Sequence, residues 1–390
     1  MITVEDALSK LFELVQPLEA EMVPLRLAAG RVLAQPVSAT RDQPPFAASA
    51  MDGYALRGAD AVAGTCFEVV GEAAAGHHWT GTLKHGQALR IFTGAPLPDG
   101  ADRVVIQEDT RRSGSVITLG QSLDPGAHVR PAGADFRVGD TVLAPRLLGA
   151  HDIALLAAMN IAQVPVSQKP SVAIIATGDE LVLPGEVPGP GQIIASNTFG
   201  LAALVEANGG TARLLPVARD NIGSLETAFA LARDADLILT VGGASVGDHD
   251  LVGKVAQDLG LARLFYKIAM RPGKPLMAGR LGEEPMVGLP GNPVSAMVCG
   301  HVFILPMLRA MLGLGCASAP SFTAKLGAEL PANGPREHYM RAYLEDGTVT
   351  PAVSQDSALL SVLSRANALL VRPAHEPARP VGSSARVMAL

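Results

Sequence analysis

The residues best suited to chemistry lie in short loops that each follow an apolar, β-branched run. Thr177-Gly178-Asp179-Glu180 follows Ser171 to Ala176, and Arg219-Asp220 follows the strand-like run Thr211 to Ala218. Gly242-Gly243-Ala244-Ser245-Val246-Gly247-Asp248-His249-Asp250 follows Asp236 to Val241, and the cations Lys267, Arg271 and Lys274 come next. Paired glycines let backbone N–H groups approach an oxyanion, Ser245 adds a hydroxyl donor, and a helix expected to open near Asp250 adds positive dipole character. Glu180, Asp220, Asp248 and Asp250 beside such a cradle would repel a phosphate unless a hard divalent cation such as Mg2+ bridges them. Taken singly, each loop reads as a tight turn, with Asp250 as a helix cap and the carboxylates solvated. Taken together on one sheet edge, they favour a metal and a phosphate.

Other segments say less by spacing alone. Pro272-Gly273-Lys274-Pro275 and Pro290-Gly291-Asn292-Pro293 read as rigid turns able to hold a ligand in place. Ser49 to Ala55 and Phe92 to Asp102 are dense polar and turn-rich stretches, with Thr93 a candidate hydroxyl donor, but their spacing assigns no reaction. The nine histidines include no HExxH, and P-loop and GxGxxG patterns are absent from the sequence. Zinc hydrolase, Walker-type and dinucleotide readings all lose support.

The elements that must position these loops follow from periodicity. From Lys169 onward, short β-branched runs alternate with helical segments, the pattern of βαβ units feeding a parallel sheet whose ligand crevice lies at the strands' carboxyl ends. The predicted fold is multidomain α/β. Residues 169–316 form a doubly wound domain, residues 1–45 and 140–168 a helical segment, residues 46–139 a β-rich insert, and residues 317–390 a small β-barrel. The stretch from Pro285 to Leu308 carries no Asp, Glu, Lys or Arg and is long enough to span a membrane. Its prolines argue instead for a short buried helix from about Val294, with Pro306 limiting its length.

Composition sets the remaining bounds. At 390 residues, with 48% hydrophobic and 17% charged, the chain has material for more than one core and is not disordered. A net charge of −6 excludes a field that would collect nucleic acid. Three scattered cysteines indicate neither a disulfide framework nor a cysteine zinc site and suit a reducing cytoplasm. The acidic, amphipathic start carries no basic leader pattern, so export is not expected.

Seven ordered segments together resemble the molybdopterin molybdenumtransferase family, which includes the C-terminal domain of gephyrin. They are PPFAASAMDGYAL (44–56), IFTGAPLPDGADRVV (91–105), GADFRVGD (133–140), VAIIATGDELV (172–182), GGASVGDHD (242–250), MRPGKP (270–275) and GLPGNPVSA (288–296). The resemblance implies a four-domain homodimer with sites between the doubly wound domain of one subunit and the N-terminal region of the other. It implies that adenylylated molybdopterin and molybdate bind together and that AMP leaves with help from Mg2+ as the dithiolene sulfurs receive molybdenum. The family's catalytic positions fall on Asp52, Thr93, Asp135, Glu180 and Asp250, and its metal positions on Glu180, Asp220 and Asp250. Thr177, Gly178, Asp179, Asp220, Gly242, Gly243, Ser245, Gly247, Pro290, Asn292 and Pro293 would shape the substrate pocket. Lys267, Arg271 and Lys274 would neutralise phosphate and molybdate, and Arg341 would contact an anion. Two positions depart from the pattern: Arg271 stands where lysine is frequent, and Ala134 where an acid is usual. Further partners implied are a molybdopterin adenylyltransferase and recipient molybdoenzymes, with no membrane and no nucleic acid. An adenylyltransferase would leave Asp52 and Thr93 without a role, and a non-catalytic scaffold would not need the acidic and basic loops.

Overall fold

The computed structural model describes residues 1–243 and 251–390. At its centre is a six-stranded sheet in the order Thr211–Leu214, Ser171–Ala176, Leu237–Val241, Glu284–Leu289, Met277–Leu281, Leu261–Tyr266. The first four strands are parallel. The last two form an antiparallel extension.

The run SVAIIA is uninterrupted because both of its faces are covered. Val172 and Ile174 enter one core, with Leu201 and Val205 of the helix Asn197–Ala207. Ala173 and Ile175, pointing the opposite way along the pleat, enter a second core with Leu225 and Phe229 of Ile222–Ala232 and Val252 of Leu251–Asp258. This is the doubly wound arrangement expected from the alternation of runs.

From Pro293 onward the charge-free stretch is helical, and the helix Pro293–Met311 continues past it through Arg309, longer than predicted. Pro306 does not stop it. The segment Gly300–Ile304 widens into a π-helical turn in which the N–H of Leu305 reaches back to the carbonyl of Gly300. The wider turn accommodates a residue that lacks an N–H and whose ring crowds the preceding turn. Val294, Val298, Phe303, Met307 and Leu308 of this helix are buried in the larger core, which accounts for its apolar composition without a bilayer.

The first helix, Val4–Phe12, is capped reciprocally by Thr3 and Asp6, and its Val4, Ala7, Leu8 and Leu11 pack into that same core. A separate core around Leu33, Leu156, Val164 and Val166 joins the helix Ala150–Ala158 to the strands Ala20–Pro24 and Gln163–Ser167. Between them runs a six-stranded sheet that includes Gly53–Leu56, Gln87–Ile91 and Arg103–Ile106.

At the C-terminal end, Glu337–Glu345, Thr348–Pro351, Phe322–Leu326, Ser384–Ala389 and Ala368–Arg372 pair in that order, and the last returns to the first. Closure gives every strand two neighbours and makes a small barrel. The short strand Met270–Arg271 lies beside its longest strand, placing Arg271 opposite His338.

Candidate functional site

A cavity of about 710 Å³ opens at the carboxyl ends of Ser171–Ala176, Leu237–Val241 and Glu284–Leu289. The first two of these strands are neighbours whose outgoing connections run to opposite sides of the sheet, the switch point at which such folds bind ligands. Thr177, Gly178, Glu180, Asp220, Gly242 and Gly243 all line it. Its far wall is the turn Pro290–Pro293 together with Ser196 and Asn197, where the helix Asn197–Ala207 begins. The helix start directs unpaired backbone N–H groups towards this space, which suits an anion.

Positive φ and close neighbours explain two of the glycines. Gly178 has φ +147°, and a Cβ there would collide with the Glu180 carboxylate, which folds back over it. Gly242 has φ +98°, and its Cβ would lie 2.7 Å from the carbonyl oxygen of Thr177. Asp179 does not line the cavity; its carboxylate accepts the backbone N–H of Asp220 at 3.1 Å. Arg219, which the sequence marks only as following a strand, donates to the carbonyls of Asp179 and Leu181, each at 3.0 Å. The loop that carries Glu180 is thereby tied to the loop that carries Asp220.

Glu180 and Asp220 therefore face one space. Among the described residues no group of three or more His, Cys, Asp or Glu side chains is gathered as a metal cage. Two carboxylates suit Mg2+, which keeps several waters and completes its shell with phosphate oxygens, better than zinc or calcium. Asp250, Ser245 and Gly247, expected here, lie outside the described residues.

The basic residues do not line the cavity. Pro275 is in the wall, whereas Lys267, Arg271 and Lys274 are not. Lys267 is half-buried with its Nζ 5.2 Å from the Tyr266 ring centroid, and Arg271 and Lys274 are exposed.

Asp52, Thr93 and Asp135 sit elsewhere and do not line the cavity. Asp52 Oδ1 accepts the Thr93 backbone N–H at 2.8 Å and its hydroxyl at 2.7 Å. Those two donors, aided by the nearby Arg90, hold the carboxyl below its ordinary range. Arg90 is itself fixed over the rings of Phe92 and Tyr54, at 4.6 and 5.2 Å from their centroids. Thr93 thus orients Asp52, a role its spacing did not reveal. Asp135 is exposed, and its backbone N–H bonds to the Gln43 carbonyl.

Arg341 requires a correction. It was expected to contact an anion, but it is 2% exposed, on the strand face it shares with Tyr339, opposite the face whose Met340 and Ala342 fill the barrel. Its Nε, Nη1 and Nη2 donate to Gln355 Oε1, the Asp356 carbonyl and the Ser354 carbonyl. Its charge is satisfied by these internal acceptors, so it has a structural role.

Three family descriptions match consecutive parts of the chain: the MoeA N-terminal region (domains I and II) over residues 2–160, a probable molybdopterin binding domain over 173–310, and the MoeA C-terminal region (domain IV) over 323–390. The molybdopterin molybdenumtransferase of Nostoc sp. is 39% identical, across 100% of this chain and 94% of its own. Molybdopterin molybdenumtransferase 2 of Mycobacterium tuberculosis is 38% identical, across 90% of each chain. The crystal structure of the molybdopterin biosynthesis protein MoeA from Pyrococcus horikoshii superposes with a TM-score of 0.85 at 29% identity, covering 100% of both chains.

Proposed function

The chain belongs to the molybdopterin molybdenumtransferase family, transferases of molybdenum cofactor biosynthesis, and from that premise we propose that it inserts molybdate into adenylylated molybdopterin with Mg2+-dependent release of AMP. The observation that carries this reading is the single cavity at the switch point, where Glu180 and Asp220 face a helix start and glycine-lined strand ends. Backbone donors there suit a pyrophosphate, and the two carboxylates suit the cation that would accompany it.

In this reading Glu180 and Asp220 would hold Mg2+, with Asp250 as a further ligand. The ion would supply charge neutralisation at the pyrophosphate. Arg219 and Asp179 keep the two acidic loops in register. In this reading Lys267, Arg271 and Lys274 would neutralise the charge of phosphate and of the dianionic oxometalate. Asp52, held ionised by Thr93, acts from the β-rich insert as a group that orients the reactants at the pyrophosphate. Asp52 lies outside this chain's own cavity, and in this reading the working form is a homodimer in which the insert of one subunit faces the cavity of the other. We place the reaction in the cytoplasm, where Cys66, Cys299 and Cys316, all unpaired, remain reduced.

Reconstitution tests the proposal. Purified protein is mixed with adenylylated molybdopterin, molybdate and Mg2+, and AMP and active cofactor are assayed together. Equal yields of the two, abolished by chelation, are expected. Consumption of ATP to adenylylate the pterin would assign the preceding step instead, and no turnover at all would leave a scaffold.

A further inference from the structure

The cavity has one wall residue from outside the doubly wound domain: Ala358, in a loop of the C-terminal barrel. That loop is fastened at both ends. On the barrel side, buried Arg341 grips the carbonyls of Ser354 and Asp356, at 3.3 and 2.6 Å, and Gln355 returns a bond to the Arg341 carbonyl at 2.9 Å. On the cavity side, the Ser357 carbonyl accepts the N–H of Val294 at 3.1 Å, and the Ser357 hydroxyl accepts from Asn292 Nδ2 at 3.2 Å. Asn292 precedes the core helix but makes no side-chain cap there, so its amide is free for this cross-domain bond. The same turn is held from the other side by Asn197, which donates to the Gly291 carbonyl at 2.7 Å.

We propose that residues 354–358 are a latch through which the barrel positions the Pro290–Pro293 wall of the substrate cavity, with Ser357 and Asn292 as its closing contact and Arg341 as its anchor. The inference rests on the proposed transferase reaction for its consequence in binding, but the latch itself is a property of the free protein. A turn held between Asn197 and Ser357 is already in place when substrate arrives, so less ordering is required on binding. These are positioning residues.

The test compares Ser357→Ala, Asn292→Ala, the double variant and Ser357→Thr. Each alanine is expected to raise KM for adenylylated molybdopterin about fivefold, the effect of one lost neutral hydrogen bond, with kcat unchanged within about twofold. The double variant should be no worse than either single one, because both remove the same bond. Ser357→Thr, which keeps the hydroxyl, should stay near wild type. In ligand-free protein, amide exchange over residues 291–296 should rise in both alanine variants. Multiplying KM effects in the double variant, or faster exchange without any change in KM, would overturn the proposal. A wild-type protein without turnover would remove the assigned reaction, while unchanged exchange over 291–296 would remove the latch.

Discussion

Asp52 receives two hydrogen bonds on Oδ1, both from Thr93. Removing the hydroxyl alone, with Thr93→Val, keeps the backbone donor and the side-chain shape. The carboxyl, held low in the wild type mainly by the Thr93 donors, then titrates closer to its ordinary value. An activity that needs the ionised form should lose its acid limb at a higher pH in the variant. At neutral pH both proteins are ionised, and the loss there, about tenfold in kcat, measures misorientation. A pH–rate profile checks both parts. Gly178→Ala acts on the other carboxylate. The added methyl would meet the mobile end of Glu180 and not backbone, so the fold should yield by displacing that carboxylate. Expected is a melting temperature lowered by a few degrees and activity reduced about a hundredfold, measured by thermal melting and AMP release. At this scale the glycines and acids of the cavity loops were legible because strand ends are where such folds bind ligands. Arg219 and Asn197 were not, since a guanidinium or amide bound to distant carbonyls leaves no spacing to read.

Strands and helices were legible where periodicity is strong. SVAIIA and LILTV announce buried parallel strands because both faces are apolar. The core helix was misjudged at Pro306, because local propensity does not foresee a π-helical turn that packing can stabilise. The first helix showed an apolar stripe, but a stripe does not name the surface it covers, here the doubly wound core. Barrel strand Glu337–Glu345 carries a further consequence. Burial pushes His338 down to about 4, helped by the guanidinium groups of Arg271, Arg372, Arg336 and Arg341. An imidazole depressed on folding takes up a proton in the unfolded chain first. Stability is therefore complete above the unfolded value of about 6.5 and is lost as pH falls towards about 4. The melting temperature of wild type should drop more steeply across that window than that of His338→Gln. Parallel slopes in the two proteins would show that His338 is not the group responsible.

On the scale of the whole molecule, one core runs from the first helix through the doubly wound layer to Tyr339, Leu369 and Met388 of the barrel. The barrel is thus packed against the domain whose cavity it helps to wall. Periodicity could not signal this, because the contacts join segments far apart in the chain. The β-rich insert has cores of its own, around Tyr54, Phe67 and Ile117 and around Leu89, Ile91 and Val104. It carries Asp52 but contributes no residue to the cavity lining. In the proposed homodimer Asp52 and Glu180 would meet across the subunit boundary, and each substitution then damages a different half of every shared site. Asp52→Ala and Glu180→Ala should each abolish turnover while remaining folded. In a heterodimer of the two, one site combines an intact insert with an intact cavity, and the other site carries both lesions. An equal, freely exchanged mixture contains half heterodimers, so about a quarter of wild-type activity should return. Differently tagged subunits, purified through both tags, should give about half. Heterodimers that form and stay inactive would mean that Asp52 and Glu180 do not complete one another across the boundary, and Asp52 would then need a role away from the cavity.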